Sequence, residues 1–209
     1  MASSICPPFL FSTRQKLNFA LFKRMSLTYT EPLPLGFTAP EFRLMDTVSG
    51  NRVSLEEIRG EKATVVMFIC NHCPYVVHVR EELVNLGNEY ISKGIGFVAI
   101  SSNDAQNYPQ DGPEKMKELA LEIGMPFPYL FDEDQEVAKA YHAACTPDLA
   151  VFDQELKCVY RGQLDGSRPG NNVPVTGKDM RNALDAILSG SPIPTEQMPS
   201  VGCNIKWKA

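Results

Sequence analysis

The chain has 209 residues, of which 44% are hydrophobic and 22% charged, and this is the composition of an ordinary globular protein. No run of 18 apolar residues occurs, which argues against a membrane-spanning helix. The formal net charge is −5, and an acidic chain is a poor match for nucleic acid, which needs a basic face.

The first 30 residues differ in composition from the rest. They hold four of the 20 basic residues, several serines and no acid, as is typical of organelle transit peptides. We predict a chloroplast transit peptide over residues 1–30, with the mitochondrion as the alternative destination. If translation instead starts at Met25, we expect a cytosolic protein. The remaining alternative is that residues 1–30 are a disordered tail without a targeting function. The basic residues are Arg14, Lys16, Lys23 and Arg24.

Strands and helices alternate along most of the remaining chain. The continuous apolar runs at 63–69 and 95–100 predict buried strands, and from Pro74 to about Tyr90 apolar residues recur at helical spacing. The predicted order is strand 42–46, a short helix from Ser54, strand 63–69, helix 74–90, strand 95–100, helix 113–123, strand 127–131, helix 134–142, strands 148–152 and 157–163, and helix 176–188. This order predicts an α/β fold, with helices flanking a central mixed sheet.

We place one domain over residues 31–190. Residues 191–209 contain three prolines and read as an irregular C-terminal tail.

The most informative motif is Cys70-Asn71-His72-Cys73, which joins the buried run 63–69 to the helix from Pro74. A helix N-terminus offers unpaired N–H groups and partial positive charge, which lowers the pKa of a thiol placed there. The two-residue spacing lets one thiol resolve a mixed disulfide formed by the other. We predict a redox-active pair in which Cys70 attacks and Cys73 resolves.

The main alternative for a C-x-x-C motif is half of a zinc site. Zinc takes about four ligands, often from a second pair at similar spacing. No second C-x-x-C occurs, and the other cysteines are scattered singly at Cys6, Cys145, Cys158 and Cys203. The sequence therefore favours redox chemistry over zinc, with no metal or cofactor required.

A second motif, Cys145-Thr146-Pro147-Asp148, precedes the predicted strand 148–152. Together with the C-x-x-C, it resembles the thioredoxin pattern. In thioredoxin-like proteins the corresponding proline is cis and packs against the dithiol, so the resemblance implies a cis bond at Pro147 and places Cys145 near the site.

The chain is most similar to the redoxin branch of that superfamily, which includes the alkyl hydroperoxide reductase and thiol-specific antioxidant-like proteins. Thr38–Phe42 resembles the N-terminal signature of this branch, and Cys70–Val76 and Val201–Trp207 resemble an uncharacterised group of plant and bacterial members. The resemblance covers about residues 36–208 and implies an added N-terminal hairpin.

The chain departs from peroxiredoxins at the positions that shape their peroxide pocket. Their motif has Pro and Thr or Ser seven and three residues before the reactive cysteine. Counting back from Cys73 gives Val66 and Cys70, and counting back from Cys70 gives Ala63 and Met67. Pro147 stands where peroxiredoxins carry an arginine.

His72 directly precedes the second cysteine, as a histidine does in protein disulfide isomerase and in the periplasmic disulfide oxidase. An imidazole there favours the thiolate, so we expect a less reducing dithiol than that of thioredoxin. Cys145 is a possible third thiol or a buried apolar residue, Cys158 a core residue, and Cys203 a residue of a flexible tail.

The sequence thus predicts a thiol–disulfide oxidoreductase that acts on protein or small-molecule disulfides, with Cys70, Cys73, His72 and Pro147 at its site. One alternative is a thiol peroxidase with antioxidant function. Another is a copper-binding module, in which two soft thiolates and a distant histidine such as His142 bind Cu(I).

Overall fold

The computed structural model describes residues 27–209, so most of the predicted transit peptide lies outside the described residues. None of the described helices is long and apolar enough to cross a membrane. In the first half of the described chain the elements are β1 (Leu27–Tyr29), β2 (Arg43–Asp46), β3 (Arg52–Ser54), α1 (Leu55–Ile58), β4 (Ala63–Phe68), α2 (Pro74–Tyr90), β5 (Ile95–Ser101) and α3 (Pro113–Glu122). The second half contains β6 (Tyr129–Phe131), α4 (Glu136–Ala140), β7 (Cys145–Thr146), β8 (Asp148–Phe152), β9 (Cys158–Arg161), α5 (Lys178–Ser189) and β10 (Val201–Asn204).

Seven strands form the central sheet in the order β3-β2-β6-β5-β4-β8-β9. β5 runs parallel to β4 on one side and to β6 on the other. The other pairings in this sheet are antiparallel: β2 with β3 and β6, and β8 with β4 and β9. The sheet is therefore mixed, as the sequence predicted. The β2–β3 pair is the added N-terminal hairpin.

Strand β4 lies in the interior of the sheet, between β5 and β8, and apart from Thr64 its side chains are apolar on both faces. Val65 and Met67 point into a core that also contains α2 and α5, while Val66 and Phe68 point into the opposite core with Tyr141. The apolar stripe predicted for α2 is buried in the first of these cores, together with both cysteines of the C-x-x-C motif. Packing on both faces fixes the end of β4, where that motif begins.

The C-terminal segment differs from the predicted irregular tail. Residues 201–204 form β10, which lies between β1 and β7 in a second, three-stranded sheet. Cys203 pairs with Thr146 on one side and with Leu27 on the other. The three prolines of this segment led to the prediction of an irregular tail. Two neighbouring strands from distant parts of the chain order β10 by pairing with it. One of them, β1, includes the last residues of the predicted transit peptide.

Candidate active site

The two cysteines of the motif lie at the junction between β4 and α2. Cys70 follows the last residues of β4, and Cys73 is the N-cap residue of α2, whose first helical residue is Pro74. Proline suits this first position because its missing N–H has no partner there in any helix. Both cysteines are free thiols and both are fully buried.

The loop from β7 to β8 covers these thiols. Its Thr146–Pro147 peptide bond is cis, as the resemblance implied. The carbonyl oxygen of Thr146 lies 3.1 Å from the Cys73 sulfur, and its hydroxyl oxygen lies 3.4 Å from the Cys70 sulfur. The two motifs that are 73 residues apart in sequence therefore form one site.

A third thiol, which the sequence reasoning did not place here, contacts this pair. The sulfur of Cys203 in β10 lies 2.7 Å from the sulfur of Cys73, and Cys203 is only 3% exposed. The sequence carried one signal for this contact, since Cys203 falls within Val201–Trp207, one of the segments on which the resemblance to plant and bacterial proteins was based. Sequence position alone gave no reason to bring that segment to the dithiol.

The surroundings of Cys73 favour its thiolate. The Cys203 sulfur lies 2.7 Å away, and hydrogen bonding with the Cys203 and Cys70 thiols lowers the pKa of Cys73 despite burial. The pKa of Cys70 is raised well above its ordinary value because its thiol donates to Cys73, because it is buried and because the Asp111 carboxylate is close. The pKa of Cys203 is raised for the first two of these reasons. Of the three thiols, Cys73 is therefore the one whose ionisation its neighbours favour.

His72 is held in place by a buried carboxylate. Its Nδ1 lies 2.5 Å from Oδ2 of Asp111, and its ring stacks on Tyr108 with the ring centres 5.7 Å apart. Asp111 is fully buried and accepts further hydrogen bonds from the backbone N–H groups of Asn71 and His72 and from the Asn103 amide. Asp111 therefore fixes both the C-x-x-C turn and the imidazole.

The other cysteines that the structure describes lie apart from this contact. Cys145 is buried in β7, with its sulfur 3.7 Å from the Thr30 hydroxyl and 3.6 Å from the Pro147 carbonyl. Burial raises the pKa of Cys145 to about 12 and that of Cys158 to about 11. Cys158 belongs to the core, as predicted.

Three polar residues, in the loop between β5 and α3 and in the loop between β9 and α5, have mainly local partners. Asp104 accepts hydrogen bonds from the N–H groups of Gln106 and Asn107, and Asp165 accepts from Thr176 and Gly177 at the start of α5. Arg168 donates to the Gln163 side chain and to two nearby carbonyls.

Some of the side chains at the site are of types that can bind a metal ion. Potential ligand atoms of Cys70, His72 and Asp111 all lie within 4.8 Å of one another. The hydrogen bond between His72 and Asp111 already accounts for two of these three groups. His142, the histidine considered for copper, packs edge-on against Phe37.

Solved structures with a similar fold support the architecture. An uncharacterized conserved protein from Geobacillus kaustophilus is 60% identical and covers 88% of this chain and 97% of its own, with a TM-score of 0.87. The thioredoxin domain of a thiol-disulfide oxidoreductase from Bacteroides vulgatus is 22% identical and covers 62% of this chain and 89% of its own, with a TM-score of 0.52. The fold is thioredoxin-like, which confirms the predicted class.

Among characterised or named relatives, a protein called "Putative peroxiredoxin" from Mycobacterium tuberculosis is 31% identical over 117 residues, which are 56% of this chain and 69% of that protein. Thiol-disulfide oxidoreductase ResA from Bacillus subtilis is 25% identical over 129 residues, which are 62% of this chain and 67% of that protein. The AhpC/TSA family matches residues 35–161. That match spans more than half of the chain, from the segment before β2 through β9, and the chain therefore belongs to the AhpC/TSA family.

Proposed function

We propose that this protein is a thiol–disulfide oxidoreductase whose working pair is Cys70 and Cys73. The observation that carries the proposal is the position of Cys73 at the N-terminus of α2, where it lies beside the Cys70 and Cys203 thiols and its pKa is lowered. A thiolate with a thiol beside it is what disulfide exchange requires. Family membership and the likeness to ResA support this class of activity.

The order of attack is part of the proposal. The chain order favoured Cys70 as the attacking thiol and Cys73 as the resolving one, whereas the charges around the two sulfurs support the reverse. In that reverse order the Cys73 thiolate attacks one sulfur of a substrate disulfide, and the other substrate sulfur leaves and takes up a proton. Cys70 then attacks the Cys73 sulfur, so that the Cys70–Cys73 disulfide forms and the second substrate thiol is released. An external thiol reductant restores the dithiol.

His72 and Pro147 complete the proposed site. His72 is a positioning and electrostatic residue, since its Nδ1 lies 2.5 Å from the Asp111 carboxylate and polar atoms of Cys70, His72 and Asp111 all lie within 4.8 Å of one another. Pro147 lies on the loop whose Thr146 oxygens contact both sulfurs. In this proposal the substrates are disulfides of proteins or of small thiols.

The test is turnover of a protein disulfide and of oxidised glutathione with a thiol reductant. We expect Cys73→Ser to abolish turnover and Cys70→Ser to reduce it strongly. Cys158→Ser removes a buried thiol from the opposite core and serves as the matched control, with turnover unchanged. Full turnover in Cys73→Ser would refute the proposal.

A second candidate is peroxide reduction, which the AhpC/TSA match and the peroxiredoxin-named relative favour. Peroxide reduction also needs groups that stabilise the leaving oxygen. Here Val66 is a buried core residue, and the Thr146 hydroxyl lies 3.4 Å from the sulfur of Cys70. We expect disulfide turnover to exceed peroxide turnover. A side-by-side assay in which peroxide is the better substrate, and in which only Cys73→Ser is inactive, would make Cys73 a peroxidatic cysteine.

A further inference from the structure

Cys203 occupies a position that neither cysteine spacing nor family membership assigns. β10 inserts between β1 and β7, and this pairing places Cys203 opposite Thr146, the residue whose backbone carbonyl contacts Cys73. The Cys203 and Cys73 sulfurs are 2.7 Å apart. A covalent S–S bond is about 2.05 Å long, so bond formation requires only a small movement of the two side chains.

Burial in the same small sheet does not by itself bring a thiol to this point. Cys145 lies beside Asn204 in the strand pairing, yet its sulfur contacts the Thr30 hydroxyl and the Pro147 carbonyl. The thiol of Cys203, in contrast, contacts the sulfur of Cys73. Cys73 is therefore flanked by two thiols, Cys70 on one side and Cys203 on the other.

We infer that Cys203 is a third redox-active thiol, which forms a disulfide with Cys73 in competition with Cys70. This inference deepens the proposed function and rests on it. In the step we envisage, the Cys203 sulfur loses its proton and attacks the Cys73 sulfur of the Cys70–Cys73 disulfide. The Cys73–Cys203 bond forms, the Cys70–Cys73 bond breaks, and Cys70 leaves as a thiolate that takes up the proton. The exchange conserves electrons and needs no further oxidant.

The second disulfide has a consequence for the site. It ties β10 covalently to the N-terminus of α2 and leaves Cys70 as a free thiol. Cys203 also offers a second way to resolve a mixed disulfide on Cys73 when Cys70 is absent or occupied. The protein would then have two oxidised forms that share Cys73.

Tryptic mapping can distinguish the two forms in the full-length chain. Cleavage after Lys62 and Arg80 puts Cys70 and Cys73 on peptide 63–80, and cleavage after Arg181 and Lys206 puts Cys203 on peptide 182–206. The Cys70–Cys73 disulfide is therefore a loop within one peptide, whereas the Cys73–Cys203 disulfide links two peptides. The protein is reduced, treated with oxidised glutathione, alkylated and mapped by mass spectrometry.

We expect the 63–80/182–206 link in the oxidised wild type and more of it in Cys70→Ser, where its competitor is missing. The link should be lost in Cys203→Ser and in Cys73→Ser, and it should persist in the control Cys145→Ser, which alters a buried thiol of the same sheet. A wild type and a Cys70→Ser variant that both lack the link would overturn the inference without requiring any variant at position 203 to fold.

Activity separates this inference from the proposed function. We expect the residual disulfide turnover of Cys70→Ser to fall to the level of Cys73→Ser once Cys203→Ser is added. Suppose that wild-type turnover is normal, that the Cys73–Cys203 link is absent, and that adding Cys203→Ser to Cys70→Ser causes no further loss of turnover. This result would refute the role of Cys203 and leave the proposed function intact. A link without any disulfide turnover in the wild type would refute the proposed function instead.

Discussion

At the scale of single residues, the site is a cluster in which small displacements change the chemistry. The pKa of Cys73 is lowered, whereas hydrogen bonding with Cys73 and burial raise the pKa values of Cys70 and Cys203. Because burial excludes water from all three thiols, their mutual hydrogen bonds decide where the charge lies.

The first prediction concerns that charge. Since the pKa of Cys73 is lowered, Cys73 should stay ionised in mild acid and react first with a small alkylating reagent. The label can be located within peptide 63–80 by fragmentation after brief treatment of the reduced protein. Cys145→Ser is the control, with the pattern unchanged. Preferential labelling of Cys70 would restore the order of attack that the chain order suggested.

A second prediction concerns His72. Replacement by Ala leaves the Asp111 carboxylate near Cys70 without its imidazole partner, which disfavours a thiolate in the pair and so destabilises the reduced form. We expect His72→Ala to lower the reduction potential by on the order of 30 mV, equivalent to about 1.4 kcal/mol for a two-electron couple. Equilibration with glutathione buffers measures this shift.

Asp111→Asn provides the opposing variant for that measurement. It removes the nearby negative charge while retaining a side-chain oxygen that can accept from the Asn71 and His72 N–H groups. The reduction potential of Asp111→Asn should rise, or should fall less than that of His72→Ala. Equal downward shifts in both variants would show that the two residues act only by shaping the turn.

At the scale of elements, the site depends on how closely β10 approaches β7. A Cβ on Gly202 would overlap the carbonyl oxygen of Thr146 and would lie 3.2 Å from the Cδ of Pro147. Only glycine permits this approach, because the obstructing atoms include backbone that cannot turn aside.

Gly202→Ala should therefore displace β10 and separate Cys203 from Cys73. We expect a loss of stability of roughly 1–3 kcal/mol, as for overpacking of a tight interior, together with loss of the Cys73–Cys203 link. Urea unfolding and the tryptic map report these two effects. Gly166→Ala is the control, since an added Cβ there meets no atom within 4 Å. Unchanged linkage in Gly202→Ala would mean that β10 does not position Cys203.

A buried ion pair supports the strand that follows the Thr146–Pro147 loop. Asp148 is fully buried and lies 3.0 Å from Nη2 of Arg161 in β9. Burial raises the pKa of Asp148 to about 6 in spite of this partner. Because the folded state holds this proton more tightly than the unfolded state, the contribution of Asp148 to stability falls as pH rises from about 4 through 6.

Asp148→Ala should leave the Arg161 charge buried without its partner and should destabilise the fold by roughly 3–5 kcal/mol. Urea unfolding at neutral pH measures this change. Glu136→Ala, which removes one member of an exposed pair with Lys139, is the control and should have little effect. Equal stabilities of the two variants would contradict the structural role of the buried pair.

At the scale of the whole molecule, the chain combines an acid-free start with an acidic domain. Residues 1–30 hold four basic residues and no acid, and the remainder holds 16 basic and 25 acidic residues. We propose that the part of this start that precedes β1 is a transit peptide that delivers the protein to the chloroplast. A reporter fused to residues 1–35 should accumulate in plastids, while the same segment with its four basic residues changed to Gln should not. A purely cytosolic signal for the unaltered segment would refute this.

Patterns of neighbouring residues were sufficient to predict several elements of the fold and the dithiol of the site. The apolar run of β4 predicts a central strand, the spacing from Pro74 predicts α2, and a C-x-x-C between them predicts a dithiol, because each signal is carried by neighbouring residues. The Thr146–Pro147 motif could be linked to the dithiol only through resemblance, and no local pattern linked Asp111 to the dithiol.

The tertiary structure decided what depends on contacts between distant segments. The tail was predicted to be irregular because its prolines hid β10, whose order comes from pairing with β1 and β7. Cys203 reaches Cys73 across 130 residues of sequence, and no local pattern encodes that contact. The sequence by itself determined that two thiols sit at a helix N-terminus. Only the packing of β10 beside Thr146 decided that a third thiol joins them, since strand pairing and close backbone approach depend on the whole fold.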